Sequence, residues 1–375
     1  MTAAFRCAHA GARDWREAAG RCVAALGTLP VAANLGFLYF TDHYAPNAAG
    51  ILDLLRERTG IAHWVGSVGM GVIAVGAEYM DEPGMAILVG AFPEQDFRLF
   101  SGKSRPPARA EKTASGAVAA DFAVVHGDPN TADMSSLIED MSHKLDSGFL
   151  TGGLTSSRCA SVQIAGDVLE GGLSGVVFSS DVKVRTALTQ GCSPIRAGAF
   201  PLRHRLTGCE GHVIETLDGR PALEVFMEDI GVDAGRDLRR AAMTHLAGFP
   251  VEGSDTEDFL ARNIVGFDAK RKLVAVGADL ETGMEIMFCR RDRDAALEDL
   301  DRMLDRLVRS LDKPPRGALY ISCVARGANM FGEKGVEVEA IGRYFPSLPF
   351  AGFYANGEIS HDRLYGYTGV LTLFI

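Results

Sequence analysis

One pattern constrains this chain more than any other: an apolar strand, a helix and a glycine-marked return strand occur together three times. Leu35–Phe40 (LGFLYF) is followed by Ala48, Ile51, Leu52 and Leu55 at helical spacing, and Ala62–Gly71 (AHWVGSVGMG) returns. Phe122–His126 (FAVVH) is followed by Met134, Leu137, Ile138, Met141 and Leu145, then by Phe149–Leu154 (FLTGGL). Ala318–Cys323 leads into Ala325–Arg326–Gly327, then Val338, Ile341 and Phe345 recur, and Phe350–Tyr354 returns to Gly357–Glu358. Strand to returning glycine takes about 30 residues in the first two copies and slightly more in the third, the length of a right-handed crossover between parallel strands. The expected fold class is α/β: two related lobes of mixed β-sheets with crossover helices, built from repeated strand–helix–strand units.

A length of 375 residues gives room for two or three domains, each with its own core. A net charge of −10 argues against a general binder of nucleic acid or of anionic membranes, and the basic run Pro201–Leu206 is too short to reverse that. No apolar run reaches the length of a membrane span. The seven cysteines are scattered without a C-x-x-C pair, as expected for reduced thiols, and Arg6, Arg13 and Asp14 stand where a signal peptide needs an apolar core. The expected location is cytoplasmic, with no membrane insertion.

Between the copies, residues 14–28 are expected to form a leading helix and Gly84–Phe92 a buried strand. Ser101–Gly116, polar and holding Pro106–Pro107, is a loop or a lid. Short strands are expected at Ala160–Ala165, Gly171–Phe178 and Val182–Leu188. His212–Val225 reads as a strand, an Asp218–Gly219 turn and a helix start at Pro221. A helix over Ala234–Leu246 and antiparallel strands at Phe259–Phe267, Lys272–Ala278 and Met284–Cys289 follow. Leu297, Leu300, Leu304, Leu307 and Leu311 line a long helix that stops before Pro314–Pro315, and Gly369–Phe374 is a closing strand. The boundary falls near residues 208–222, giving an N-terminal extension over 1–30 and domains over 31–215 and 216–375.

Arg326 just past one strand end and Glu358 near the end of the next suit a small ligand carrying both charges, such as an amino acid, or else form an ordinary ion pair. Arg326 would take a carboxylate through two parallel hydrogen bonds and Glu358 an ammonium, beside Gly327, with Asn329, Phe353 and Tyr354 as further contacts. Gly66, Ser67, Gly69, Gly152 and Gly153 would give the ligand room and bring backbone N–H groups close, or would serve strand packing. GSVGMG lacks the Lys-Ser/Thr of a P-loop and the spacing of a dinucleotide fingerprint. The ligand is expected where the carboxyl ends of the strands converge. Nine histidines include no H-x-x-x-H pair, so no closed metal site is expected; His126 and His43 are candidates for a single axial haem ligand. No G-x-S-x-G elbow is present, and Cys323 in its apolar strand reads as an inert thiol, so no catalysis is expected.

With these segments placed, the chain resembles the FIST family, a two-part sensory domain. The resemblance rests on Leu35–Tyr44 (LGFLYFTDHY), the HWVGSVGMG run, Thr151–Ser156 (TGGLTS) and Leu188–Ile195 (LTQGCSPI) in the N-terminal part. In the C-terminal part it rests on Glu215–Phe226, Phe259–Asp268, Ser322–Gly327 (SCVARG) and Gly352–Ile359 (GFYANGEI). It implies a small ligand, amino acids being proposed, no resident cofactor, and a signal passed in trans to a separate protein such as a histidine kinase, since no output module is recognisable here. It also implies, as an alternative, a haem protein sensing nitric oxide and regulating such a kinase; an interaction scaffold without a ligand is a further alternative.

Overall fold

The computed structural model describes residues 5–30, 32–101, 120–231, 238–251 and 258–375. The Ser101–Gly116 loop therefore falls, after Ser101, outside the described residues. The chain divides into two compact units, one made of Met1–Thr189 with Asp299–Ile375, the other of Gln190–Glu298. All three strand–helix–strand copies belong to the first unit. The boundary expected near 208–222 falls inside the second.

In the first unit each copy supplies the parallel pair at the centre of its own six-stranded sheet: Leu35–Thr41 with His63–Gly69, Ala120–Gly127 with Phe149–Leu154, and Gly317–Cys323 with Phe350–Ala355. The strands run apolar without alternation because both faces are covered. Phe37, Tyr39, Phe122, Val124, Leu319 and Ile321 meet in one core shared by the three sheets. Leu38, Phe40, Ala123, Val125, Ala318 and Tyr320 point outward to the helices. Those crossover helices are Ala48–Thr59, Met134–Ser142 and Val336–Tyr344. They bury the expected Ile51, Leu55, Ile138, Met141, Val338 and Ile341, whereas Leu137 turns to solvent, off the apolar stripe.

Each return strand carries a glycine against the leading strand's backbone. A Cβ at Gly66 would stand 1.8 Å from the Leu38 carbonyl oxygen, at Gly152 1.8 Å from that of Val125, and at Gly352 1.6 Å from that of Tyr320. The three are equivalent positions. The returning glycine of the repeat is thus a packing device first.

After each return strand comes a β-hairpin, and none of the three pairs with its own sheet. Gly71–Ala74 and Ala77–Met80, from the first copy, extend the third sheet beside Phe350–Ala355. Val162–Ala165 and Asp167–Glu170, from the second, extend the first sheet beside His63–Gly69. Glu358–Ser360 and Arg363–Tyr365, from the third, extend the second sheet beside Phe149–Leu154. Each copy then sends a strand back to its own leading strand: Met85–Gly90, Leu173–Ser179 and Thr368–Phe374. Within this unit the segments before Gln190 and after Glu298 are therefore interleaved.

The second compact unit is an antiparallel sheet with the helices Ala222–Asp229 and Leu238–Thr244. Its core gathers Ile214, Phe226, Val274 and Phe288. Asp218 and Gly219, both at positive φ (51° and 75°), make the expected turn between Val213–Leu217 and Arg220–Pro221.

Candidate functional site

The Gly317–Cys323 strand ends in a turn closed by Arg326 N–H donating to the Cys323 carbonyl at 2.8 Å. That turn sends the Arg326 side chain inward, where it is 0% exposed. Its Nε donates to Glu337 Oε1 at 2.8 Å; Glu337 stands in the first turn of the Val336–Tyr344 helix and is 1% exposed. Glu337 also accepts from the Tyr320 hydroxyl at 2.5 Å, the Ser322 hydroxyl at 3.1 Å and Gly327 N–H at 3.3 Å. Burial disfavours the guanidinium charge, but Glu337 beside it more than compensates and Arg326 stays firmly protonated.

Around this pair lies a group of buried polar atoms that the protein leaves without a hydrogen-bond partner: Arg326 Nη1 and Nη2, Tyr354 Oη, Glu78 Oε1 and Glu358 Oε1. Glu358 is 0% exposed, and its Oε2 accepts from Thr368 N–H at 3.1 Å and Thr368 Oγ1 at 2.7 Å. Burial pushes its carboxyl up to about 8, against the pull of the Thr368 hydrogen bonds and the Arg326 charge. Glu78, on the edge strand Ala77–Met80, is likewise raised by burial while its Oε2 accepts from Gly335 N–H at 2.7 Å. The Tyr354 hydroxyl lies near Glu78 without reaching hydrogen-bond geometry, and burial raises its pKa. A buried polar atom without a partner costs about 1–3 kcal/mol. Several in one cluster mark a place built around something that supplies the missing partners.

The corresponding end of the first copy shows the contrast. There Asp42, also buried, accepts from Arg158 N–H, Nε and Nη2 at 3.0, 2.7 and 2.8 Å, and Arg158 Nη1 donates to Asp81 at 3.0 Å. Both contacts join a strand end to another segment, but the Arg326 cluster leaves several donors and acceptors over.

Four of the expected residues come together here: Arg326, Gly327, Tyr354 and Glu358. Gly153 is near them, paired across the sheet with Glu358. Phe353 faces the other way, stacked on Tyr39 with ring centroids 5.1 Å apart in the shared core. Asn329 is exposed and donates to the Val324 carbonyl. Gly66 and Gly152 have the packing role described above, the Ser67 hydroxyl donates to the Val68 carbonyl, and a Cβ at Gly69 would meet the Gly71 carbonyl at 2.7 Å. Glu337, Glu78 and Thr368 are absent from the sequence reading. An acid in a helix's first turn eleven residues after an arginine signals the first of these; Glu78 arrives from another copy's hairpin, which no local pattern announces.

Neither haem candidate gives that reading support. His126 is fully buried, wedged between Tyr39 and Phe353 at 5.6 and 5.9 Å between ring centroids, with Nε2 3.3 Å from the Tyr39 hydroxyl; burial pushes its pKa down to about 3. His43 is partly exposed beside Asp42. Among the described residues no cluster of three or more His, Cys, Asp or Glu could hold a metal ion, and no helix is long and apolar enough to cross a membrane. Burial pushes the Cys323 thiol far up, as for an inert buried thiol.

Fold and site together describe an α/β protein of triplicated crossovers with an enclosed cluster carrying both charges. The FIST N domain model matches residues 34–220 and the FIST C domain model residues 222–361, and the chain belongs to the FIST family. FIST domains are small-ligand sensory domains of signalling proteins and are not catalytic. The chain is 30% identical to an uncharacterized protein of Mycobacterium tuberculosis over 98% of its own length and 95% of the relative's. It is 28% identical to an uncharacterized protein of Mycobacterium bovis over 92% and 91% of the two chains. A stretch of 44 residues, 12% of this chain and 11% of the relative, is 48% identical to human F-box only protein 22.

Proposed function

We propose that this chain is a non-catalytic sensor whose small ligand is held at the Arg326–Glu358 cluster. The observation that carries the reading is the set of buried, partnerless donors and acceptors around one guanidinium. The two Nη groups present donors to a carboxylate, while Glu358 Oε1 and Glu78 Oε1 offer acceptors to an ammonium. An α-amino acid carries both groups on one carbon. No cofactor is needed, and the output is a change in affinity for a separate signalling protein such as a histidine kinase. That requires the ligand to bind two states of the chain unequally.

A thermal-shift screen of amino acids and related metabolites tests this. At least one compound is expected to raise the melting temperature in proportion to the logarithm of its concentration. Glu358→Gln, which keeps the side chain's shape, is expected to lower that compound's affinity about tenfold or more. Saturation without any shift across the set, or a ligand whose affinity Glu358→Gln leaves intact, defeats the reading. A kinase that binds equally well with and without the ligand favours a scaffold instead.

A further inference from the structure

We infer that residues 327–335 are a hinged cover over the Arg326 cluster, latched to the edge strand Ala77–Met80, and that the site is entered by opening this cover. The inference rests on the proposed site and concerns how that site is reached.

Arg326, Glu337 and Glu358 are buried to 1% exposure or less, so nothing exchanges with the cluster unless a segment moves. The segment lying outermost is short: a four-residue helix, Ala328–Phe331, between glycines at positive φ, with Gly327 at 53°, Gly332 at 79° and Gly335 at 84°. Three such positions in nine residues put backbone pivots at both ends of the helix and at the start of the next. Among residues 328–335 only Phe331 is buried, and its ring lies over the guanidinium, Cζ to centroid 5.5 Å. Asn329, Gly332, Glu333 and Lys334 face solvent. Little apolar burial therefore resists opening.

Polar contacts hold the segment shut. Gly335 N–H donates to Glu78 in the hairpin of the first copy, and Lys334 Nζ donates to Glu82 Oε1 just past that hairpin, at 2.7 Å. Gly327 N–H donates to Glu337 and Asn329 Nδ2 to the Val324 carbonyl at 2.9 Å. The Gly317–Cys323 strand keeps its ladder when these are broken. Of the Val336–Tyr344 helix only the first bond, Glu339 N–H to the Gly335 carbonyl, involves the cover, so the cover can swing while its flanks stay in place.

Amide hydrogen exchange on the free protein, resolved by peptide, tests this without a known ligand. Amides of 327–335 are expected to exchange by local opening with little denaturant dependence, while those of Gly317–Cys323 exchange only with global unfolding. Lys334→Ala, which removes an exposed ion pair, should speed exchange of the 327–335 amides by up to about fivefold at unchanged melting temperature. Glu78→Ala, which removes the second latch, should speed it by roughly tenfold or more. Exchange of 327–335 with the same denaturant dependence as the strand overturns the inference, as does exchange that neither substitution changes. A cover that opens in a chain that binds no amino acid would count against the proposed function alone. A ligand bound without local opening would count against the cover alone.

Discussion

At the scale of single residues, Glu358 is the most informative side chain because its ionisation opposes its burial. Its ordinary value of 4.5 is raised to about 8 in the folded chain. Between those values the folded state holds a proton that the unfolded state has released. Stability of the free protein therefore falls as pH rises through that window, by on the order of a few kcal/mol in all. Chemical denaturation at intervals from pH 5 to 8 should show this decline, and Glu358→Gln should flatten it and be the more stable chain at pH 8. A bound cation would make the charged carboxylate welcome, so an ammonium ligand should bind more tightly as pH rises toward 8. Arg326 and Glu358 were legible in the sequence as charges at strand ends. Their partners were only partly so: Glu337 is local and in principle readable, whereas Glu78 is brought in from some 250 residues away, as the Gly335–Glu78 hydrogen bond records.

At the scale of elements, periodicity did most of the work. Apolar runs gave the six parallel strands, and helical spacing gave the three crossovers, because burial on two faces and on one stripe leaves different signatures. The return-strand glycines were visible too, but their purpose was not, since a glycine that admits a ligand and one that admits a neighbouring carbonyl look alike in a sequence. Two substitutions separate the cases. Gly352→Ala places a methyl group 1.6 Å from the Tyr320 carbonyl and must push the parallel pair apart. It should cost about 3 kcal/mol or more, or prevent folding. Gly342→Ala, within the Val336–Tyr344 helix and with nothing near its Cβ, should instead stabilise by about 0.5–1 kcal/mol. Denaturant midpoints of the two variants measure both.

At the scale of the whole molecule, what the sequence hid was the threading. Short hairpins at Gly71–Met80, Val162–Glu170 and Glu358–Tyr365 were readable as strands or left as connections, yet nothing in their residues says that each crosses to another copy's sheet. The same view shows which part can be removed. Thr189 and Asp299, where the chain leaves and re-enters the first compact unit, are joined by a hydrogen bond of 2.9 Å between their side chains. Replacing Gln190–Glu298 by a short glycine-serine linker should leave a protein that unfolds cooperatively and still protects Cys323 from labelling. Loss of cooperative unfolding on that excision would show that the first unit depends on the second.

The exchanged hairpins also set a timetable for synthesis. The first sheet has all its strands once residue 170 has been made, but the second and third wait for Glu358–Tyr365 and Thr368–Phe374. Those segments are made after the whole of Gln190–Glu298. The second and third sheets must therefore wait with edges unpaired while the second unit is made, and are closed only by strands synthesised after it.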